Sequence, residues 1–326
     1  MKKHVALFAG LGGFLVAAKR NGIDTIFATD LEEGCTKTIE TSFPGTSCVS
    51  EDITKLHFEN HFDLETSVDL LSAGFPCQSF SAAGNNLGFD DPRGKLFFEI
   101  PRLINSLVSP PKVVLLENVA HLKAFDGGSR LNRIMQEMRM LGYWLSSAQS
   151  LVLDSNKISG SPQRRERLYM IAYHSDYFKK NFFNFESFYP MPAKNVWSIV
   201  SRDTEQDGSL YLDKDNKYFQ MLDQAITKGG IDSLYQIRRV GVRKCPPNIC
   251  PTLTANMGGG GHNVPFLRDN FGIRKLSIAE CLRLQGYVDG EIVFPKDLSN
   301  GRKYTMIGNA IHAGTVEKVV RHIEFN

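Results

Sequence analysis

The chain has 326 residues, 42% of them apolar and 22% charged, and a formal net charge of +3. The length implies one large domain and a smaller one, and so small a charge excludes bulk basicity as an argument for a polyanionic partner. Six scattered cysteines (35, 48, 77, 245, 250 and 281) match neither a disulfide framework nor a zinc-ligand pattern, so a reducing cytoplasm is expected.

In chain order, the first half alternates short apolar runs with polar-faced helical stretches, the pattern of a parallel sheet wrapped by helices. The spacing predicts strands over His4–Phe8, Asp24–Thr29, Val68–Ser72, Lys112–Glu117, Ser146–Leu151 and Arg167–Tyr173. It predicts helices over Phe14–Asn21, Gly34–Ser42, Lys95–Leu107 and Arg130–Leu141. Met1-Lys2-Lys3 followed by the apolar run 5–18 has the outline of a signal peptide, but glycines 10, 12 and 13 suit a strand, a tight turn and a helix start better. No other segment approaches a membrane-spanning length, and no membrane association is expected. From Tyr189-Pro190-Met191-Pro192 to about Phe271 the alternation stops, and this part reads as short strands and loops. A helix over Ser277–Gln285 follows, and another over Asn309–His322 is expected to return to the large domain. The expected division is 1–189, 190–298 and 299–326.

Four places carry chemistry. Phe8-Ala9-Gly10-Leu11-Gly12-Gly13 lies between a strand and a helix, where glycines let backbone approach a ligand and the helix start offers unpaired N–H groups. Asp30 ends the next strand, at the spacing where an acid accepts ribose hydroxyls, and Asp52 is placed to hold an adenine amino group. A nicotinamide dehydrogenase shares such a turn, although the G-x-G-x-x-G spacing is absent. Cys77, in Gly74-Phe75-Pro76-Cys77-Gln78-Ser79-Phe80, follows an apolar run, so it is either an exposed nucleophile at a strand end or an inert thiol. Glu117 ends the apolar strand before Asn118, as a ligand-gripping carboxylate or half of an ion pair. Arg165 and Arg167, two apart on an incoming strand, share a face and are placed to converge on one ligand or on a nearby carboxylate.

Together these segments resemble the cytosine-specific (carbon-5) DNA methyltransferases of bacterial restriction–modification systems. The resemblance runs in the family's order from Phe8–Gly13 and Gly74–Ser81 through Gly88–Phe98, Glu117-Asn118-Val119 and Gln163–Arg167. It ends with Glu280-Cys281-Leu282-Arg283-Leu284-Gln285-Gly286-Tyr287 and Gly308-Asn309. It implies an α/β fold: a large Rossmann-like domain with a mixed sheet, and a small, irregular β-rich target-recognition domain. It implies S-adenosyl-L-methionine as methyl donor and a cytosine extruded from double-stranded DNA as acceptor. By resemblance, Cys77 adds to carbon-6, Glu117 contacts N3 and the amino edge, and Arg165 and Arg167 contact O2 and orient the site. The cofactor residues so implied are Phe8, Ala9, Gly10, Leu11, Gly12, Gly13, Asp30, Leu31, Asp52, Ile53, Pro76, Leu96, Asn309 and Ala310. Leu31 stands where many relatives carry an aromatic residue. No metal is implied.

The stretch 190–272 is the family-variable one, and its Gln236–Lys244 segment is basic. Arg238, Arg239, Arg243, Thr252, Leu253, Gly258 and Gly259 are its expected DNA contacts, with Gln78, Ser79 and Arg93 from the segment after Cys77. Gln78–Lys95, rich in glycine and small residues, is expected to fold over the extruded base. The enzyme is expected to act as a monomer in a prokaryotic cytoplasm, with a cognate restriction endonuclease as a candidate partner. A tRNA cytosine methyltransferase of the same lineage and a silent DNA-binding homologue are the competing readings.

Overall fold

The computed structural model describes residues 1–76, 95–258 and 263–325. Strands β1 (Lys2–Leu7), β2 (Ile23–Asp30), β3 (Ser47–Ser50), β4 (Leu70–Ala73) and β5 (Val113–Val119) run parallel in the order β3-β2-β1-β4-β5. β8 (Glu166–His174) continues the sheet antiparallel to β5, and its far edge pairs with β6 (Tyr143–Trp144) and β7 (Ser150–Asp154).

Helices cover both faces. Val114, Leu116, Leu168 and Met170 point to one side and meet α3 (Glu99–Ser106) and α4 (Ser129–Met140) through Ile100, Leu103, Ile134 and Met138. Val113, Leu115, Tyr169 and Ile171 point to the other, against Phe14 and Ala17 of α1 (Gly13–Arg20). That alternation follows from the two-residue period of a strand buried on both faces. α2 (Glu33–Ser42) and the short α5 (Ser155–Ile158) complete the first half.

The order reverses between β1 and β4, because β1 leads outward to β2 while β4 starts the opposite half. Ligands of open α/β sheets bind beyond the carboxyl ends of strands at such a switch. The Gly-rich turn leaves β1 here, and Gly74-Phe75-Pro76 leaves β4.

Residues 190–275 are more ordered than the sequence suggests. α6 (Phe219–Gly229) packs Leu222 and Ile226 on a four-stranded antiparallel sheet, order β10-β9-β11-β12. Its strands are β9 (Tyr235–Arg238), β10 (Gly241–Lys244), β11 (Pro265–Arg268) and β12 (Ile273–Lys275). α7 (Ile278–Leu284) starts with a capping box between Ser277 and Glu280. The Glu280 carboxylate also pairs at 2.9 Å with Arg274, which is fully buried and bonds Asp269 at 2.6 Å.

Three expectations need correction. The helix expected over Asn309–His322 is shorter: Asn309 is the last residue of α8 (Asn300–Asn309), Ala310 turns extended, and α9 (Ala313–Arg321) begins afresh with His312 as its cap. α9 packs Val316, Val319 and Val320 against the α1 side of the sheet. The strand expected at Ser146–Leu151 starts at Ser150, because Ser146 caps a 3₁₀ turn over Ser147–Gln149. The helix expected over Lys95–Leu107 is interrupted by a 3₁₀ turn, Leu96–Phe98, after which α3 starts at Glu99. β3, β6, α5, α6 and α8 had no counterpart among the expected elements.

Candidate active site

The turn after β1 is built from residues with positive φ. Phe8 lies at 52°, Gly10 at 54° and Gly12 at 82°, which bends the chain from strand into α1 within five residues. The turn is clipped by Asp30: Oδ2 accepts the Gly10 N–H at 2.8 Å and Oδ1 accepts the Glu32 N–H at 2.9 Å. Burial raises the Asp30 pKa against those bonds.

Beside this turn is a cavity of about 230 Å³, lined by Phe8, Gly10, Asp30, Leu31, Asp52, Ile53, Pro76, Leu96 and Asn309. Thr29, Glu51 and Gly74, which sequence reasoning did not single out, line it as well. Ala9, Leu11, Gly12, Gly13 and Ala310 are buried in or behind the turn and are not part of the lining. Asp52 Oδ1 accepts both the N–H and the hydroxyl of Thr54, which holds this carboxyl below the ordinary range. Leu31 is 72% exposed.

At the next strand end, Glu117 is buried, and its Oε1 lies 3.2 Å from Arg167 Nε. The antiparallel register of β5 and β8 creates this pair, since Val119 faces Arg167 and Glu117 is two residues back on the same side. Burial raises the Glu117 pKa, and the arginines at 167 and 165 only partly offset it. Glu117 also reaches toward the β4 exit, because a side chain on Gly74 would come within 3.6 Å of its Oε2. Asn118, the next residue, donates from Nδ2 to the Phe75 carbonyl at 3.0 Å. Sequence reasoning gave Asn118 no separate task; its buried amide holds the backbone two residues before Cys77.

Arg165 acts electrostatically on Glu117 together with Arg167, but its hydrogen bonds go elsewhere. Its guanidinium is buried, donating to the carbonyls of Leu253 at 2.9 Å and Ala310 at 2.7 Å. Burial and the nearby Arg167 pull its pKa down to about 9, so it remains charged at neutral pH. Gln163 Oε1 accepts the Leu253 N–H at 3.0 Å, so this peptide is gripped from both ends. The Leu253 side chain is fully buried, and the Thr252 hydroxyl donates to the Arg164 carbonyl at 2.7 Å. Leu253 therefore joins the two parts of the chain, and its side chain does not reach a surface.

Arg164, Arg167, Arg243, Lys244 and Thr252 line a second cavity of about 550 Å³ between the start of β8 and β10. Arg239 is exposed in the β9–β10 turn, Arg238 is half-buried, and Gly258 ends a turn packed on α8. Cys77, Gln78, Ser79, Arg93 and Gly259, and the segment from 78 to 94 expected to close over a base, lie outside the described residues. Burial raises the pKa of every described cysteine: Cys35, Cys48, Cys245, Cys250 and Cys281. None of these is a thiolate at neutral pH.

Among the described residues no acidic, histidine or cysteine cluster could hold a metal, and no helix is long and apolar enough to cross a membrane.

A family model described as C-5 cytosine-specific DNA methylase matches residues 3–324. The Type II methyltransferase M.Bsp6I of Bacillus sp. (strain RFL6) is 33% identical over 329 residues, covering 99% of this chain and 98% of that protein. The Type II methyltransferase M.HhaI of Haemophilus parahaemolyticus is 32% identical over 346 residues, covering 99% and 93%. Among solved structures, the S. pombe Dnmt2 methyltransferase aligns with a TM-score of 0.70 at 17% identity, covering 98% of this chain and 97% of its own. The Entamoeba histolytica methyltransferase EhMeth aligns with a TM-score of 0.73 at 15% identity, covering 99% and 97%. At these identities the structural matches speak for the fold alone.

Proposed function

The chain belongs to the C-5 cytosine-specific DNA methylase family and is a DNA (cytosine-5-)-methyltransferase, and from that premise we propose how its residues divide the work. The target is a cytosine flipped out of a specific duplex sequence, and the methyl donor is S-adenosyl-L-methionine. The observation that carries this reading is the buried Glu117–Arg167 pair at the β5 end, beside the exit of β4 toward Cys77.

The cavity beside the Gly-rich turn fits an adenosyl group. Phe8, Ile53, Pro76 and Leu96 offer apolar walls to a base, and Asp52, held ionised, offers an acceptor to an amino group. Asp30 has one bond on each oxygen and keeps lone pairs for ribose hydroxyls. When bound, the donor supplies an electrophilic methyl group on a sulfonium sulfur.

Cys77 is the nucleophile. Its thiolate forms a bond to carbon-6 of cytosine, and the electrons of the 5,6 double bond move to carbon-5, making that carbon nucleophilic. Glu117, whose burial favours the protonated form, donates a proton to N3 and so stabilises the electron-rich ring. Arg167 holds the Glu117 carboxyl in place and offers its remaining N–H groups to O2. Arg165 is a positioning residue, tying β8 to the Leu253 segment and the α8–α9 junction. After methylation, loss of the carbon-5 proton to a base restores the double bond and expels Cys77.

Residues 190–298 form the DNA-reading part and 299–326 return to the catalytic part. Bisulfite sequencing of DNA from cells expressing the protein tests this reading. It predicts converted-resistant cytosines confined to one short sequence; protection of no cytosine, or of cytosines without sequence context, would contradict it.

A further inference from the structure

We propose that Gln236 is a positioning residue that locks Arg238 and Arg243 into one rigid pair of guanidinium forks for reading a guanine edge. The inference rests on the DNA-methylating reading above and concerns how this chain selects its sequence.

The β9–β10 register puts Arg243 opposite Gln236, and Arg238 lies two residues along β9, so all three side chains share one face of the hairpin. Gln236 is buried, and its Nε2 donates to the Asn263 carbonyl at 2.9 Å. That bond fixes which end of the amide faces the arginines. Its Oε1 accepts from Arg243 Nη2 at 2.7 Å and from Arg238 Nη2 at 3.2 Å. Arg238 Nη1 is held in addition by Asn263 Oδ1. Two cations thus meet on one neutral oxygen, their nitrogens within about 6 Å of each other. Among the described residues no carboxylate pairs with either arginine.

A glutamate at 236 could accept the same two bonds and would cancel part of the charge. The glutamine holds both arginines while leaving their repulsion to be relieved by an incoming electron-rich group. Phosphate anchoring needs charge but tolerates loose geometry, whereas a guanine O6/N7 edge needs a fork held in a fixed direction. Anchoring by a buried amide supplies that direction and removes the ordering cost on binding. Arg243 also lines the cavity that Arg167 lines, so base reading and the flipped-base site share one cleft.

The test uses the full-length enzyme on a duplex library randomised around its methylation site, read by bisulfite sequencing, with the salt dependence of DNA binding measured in parallel. Gln236→Leu is expected to lower the preference for guanine at one position about tenfold, with the salt slope unchanged because both charges remain. Arg243→Lys, on an exposed side chain that cannot unfold the core, is expected to do the same, since it keeps charge and loses the fork. Gln236→Glu is expected to weaken binding to all sequences and to lower the salt slope by about one. Unchanged preference in both Gln236→Leu and Arg243→Lys, or weakening that is uniform across sequences in both, would overturn the proposal and leave a phosphate anchor. A wild-type enzyme that methylates no library member would overturn the underlying reading instead.

Discussion

Asn118 Nδ2 donates a 3.0 Å hydrogen bond to the carbonyl of Phe75, so the residue after Glu117 steadies the chain leading into Cys77. Two strand ends, β4 and β5, are thereby fixed to each other beside Glu117, where the proposed nucleophile and acid would meet. Asn118→Ala removes the bond and leaves the Phe75 carbonyl without its partner. It is expected to lower kcat by about 100-fold through misplacement of the thiol while cofactor binding changes little. Single-turnover methyl transfer with equilibrium binding of S-adenosylhomocysteine checks this; unchanged kcat would remove Asn118 from the account.

Glu117→Gln tests the proton donor. The amide is nearly isosteric and can still donate a hydrogen bond to N3, but it cannot transfer a proton. Methyl transfer is expected to fall by about 100-fold or more, with DNA affinity retained. The stability effect has a defined sign. Because the folded pKa of Glu117 is raised, the folded state holds its proton to higher pH than the unfolded chain does. Wild type therefore loses stability relative to the variant as pH rises through that raised range, and the two converge in acid. A gap that widens in acid instead would show that the carboxyl is ionised in the free enzyme.

Much of this site is legible in the sequence, because Asp30, Glu117 and Arg167 lie at the ends of apolar strands, where a crevice is expected. The role of Arg165 is not. Its two-residue spacing from Arg167 predicts a shared face, yet its partners, Leu253 and Ala310, are 88 and 145 residues away. α8 was hidden for a related reason. Gly301 and Gly308 interrupt its helix-forming sequence, and only the tertiary contact explains Gly308: a Cβ there would lie 2.2 Å from the Thr254 carbonyl carbon. In 190–275, Leu222 and Ile226 carry a helical period, but the polar run before them masks the start of α6.

Gly308→Ala follows from that contact. Backbone is struck on the far side, so relief requires α8 to move away from the Thr254–Ala255 turn. The cost is expected to be about 3 kcal/mol in denaturant unfolding, with weaker DNA binding as the Leu253 segment shifts. A variant as stable as wild type would show that the two segments are not tightly packed.

Two buried histidines make stability depend on pH. Burial pushes the pKa of His4 and of His312 down to about 3. His4 bonds Thr25 and Ser72, and His312 Nδ1 accepts the Thr315 N–H, which a second proton would forbid. Below about pH 6.5 the unfolded chain binds protons that the folded one refuses, so stability falls with falling pH from there toward 3. The slope is expected to approach about 1.4 kcal/mol per pH unit for each ring. His4→Gln, which keeps an amide toward Ser72, should flatten it; an equal slope in the variant would exclude His4 as a source.

The central claim is that Cys77 bonds covalently to the target base, and a duplex carrying 5-fluorocytosine at the methylated position tests it most directly. Fluorine cannot leave carbon-5 as a proton does, so the cycle should stop after methyl transfer with enzyme and DNA joined. The account predicts a denaturation-resistant complex that requires S-adenosylmethionine, is absent in Cys77→Ser, and yields by peptide mass spectrometry a nucleotide adduct on Cys77. Full methyl transfer to ordinary duplex by an enzyme that forms no such complex, or an adduct on a different residue, would contradict it.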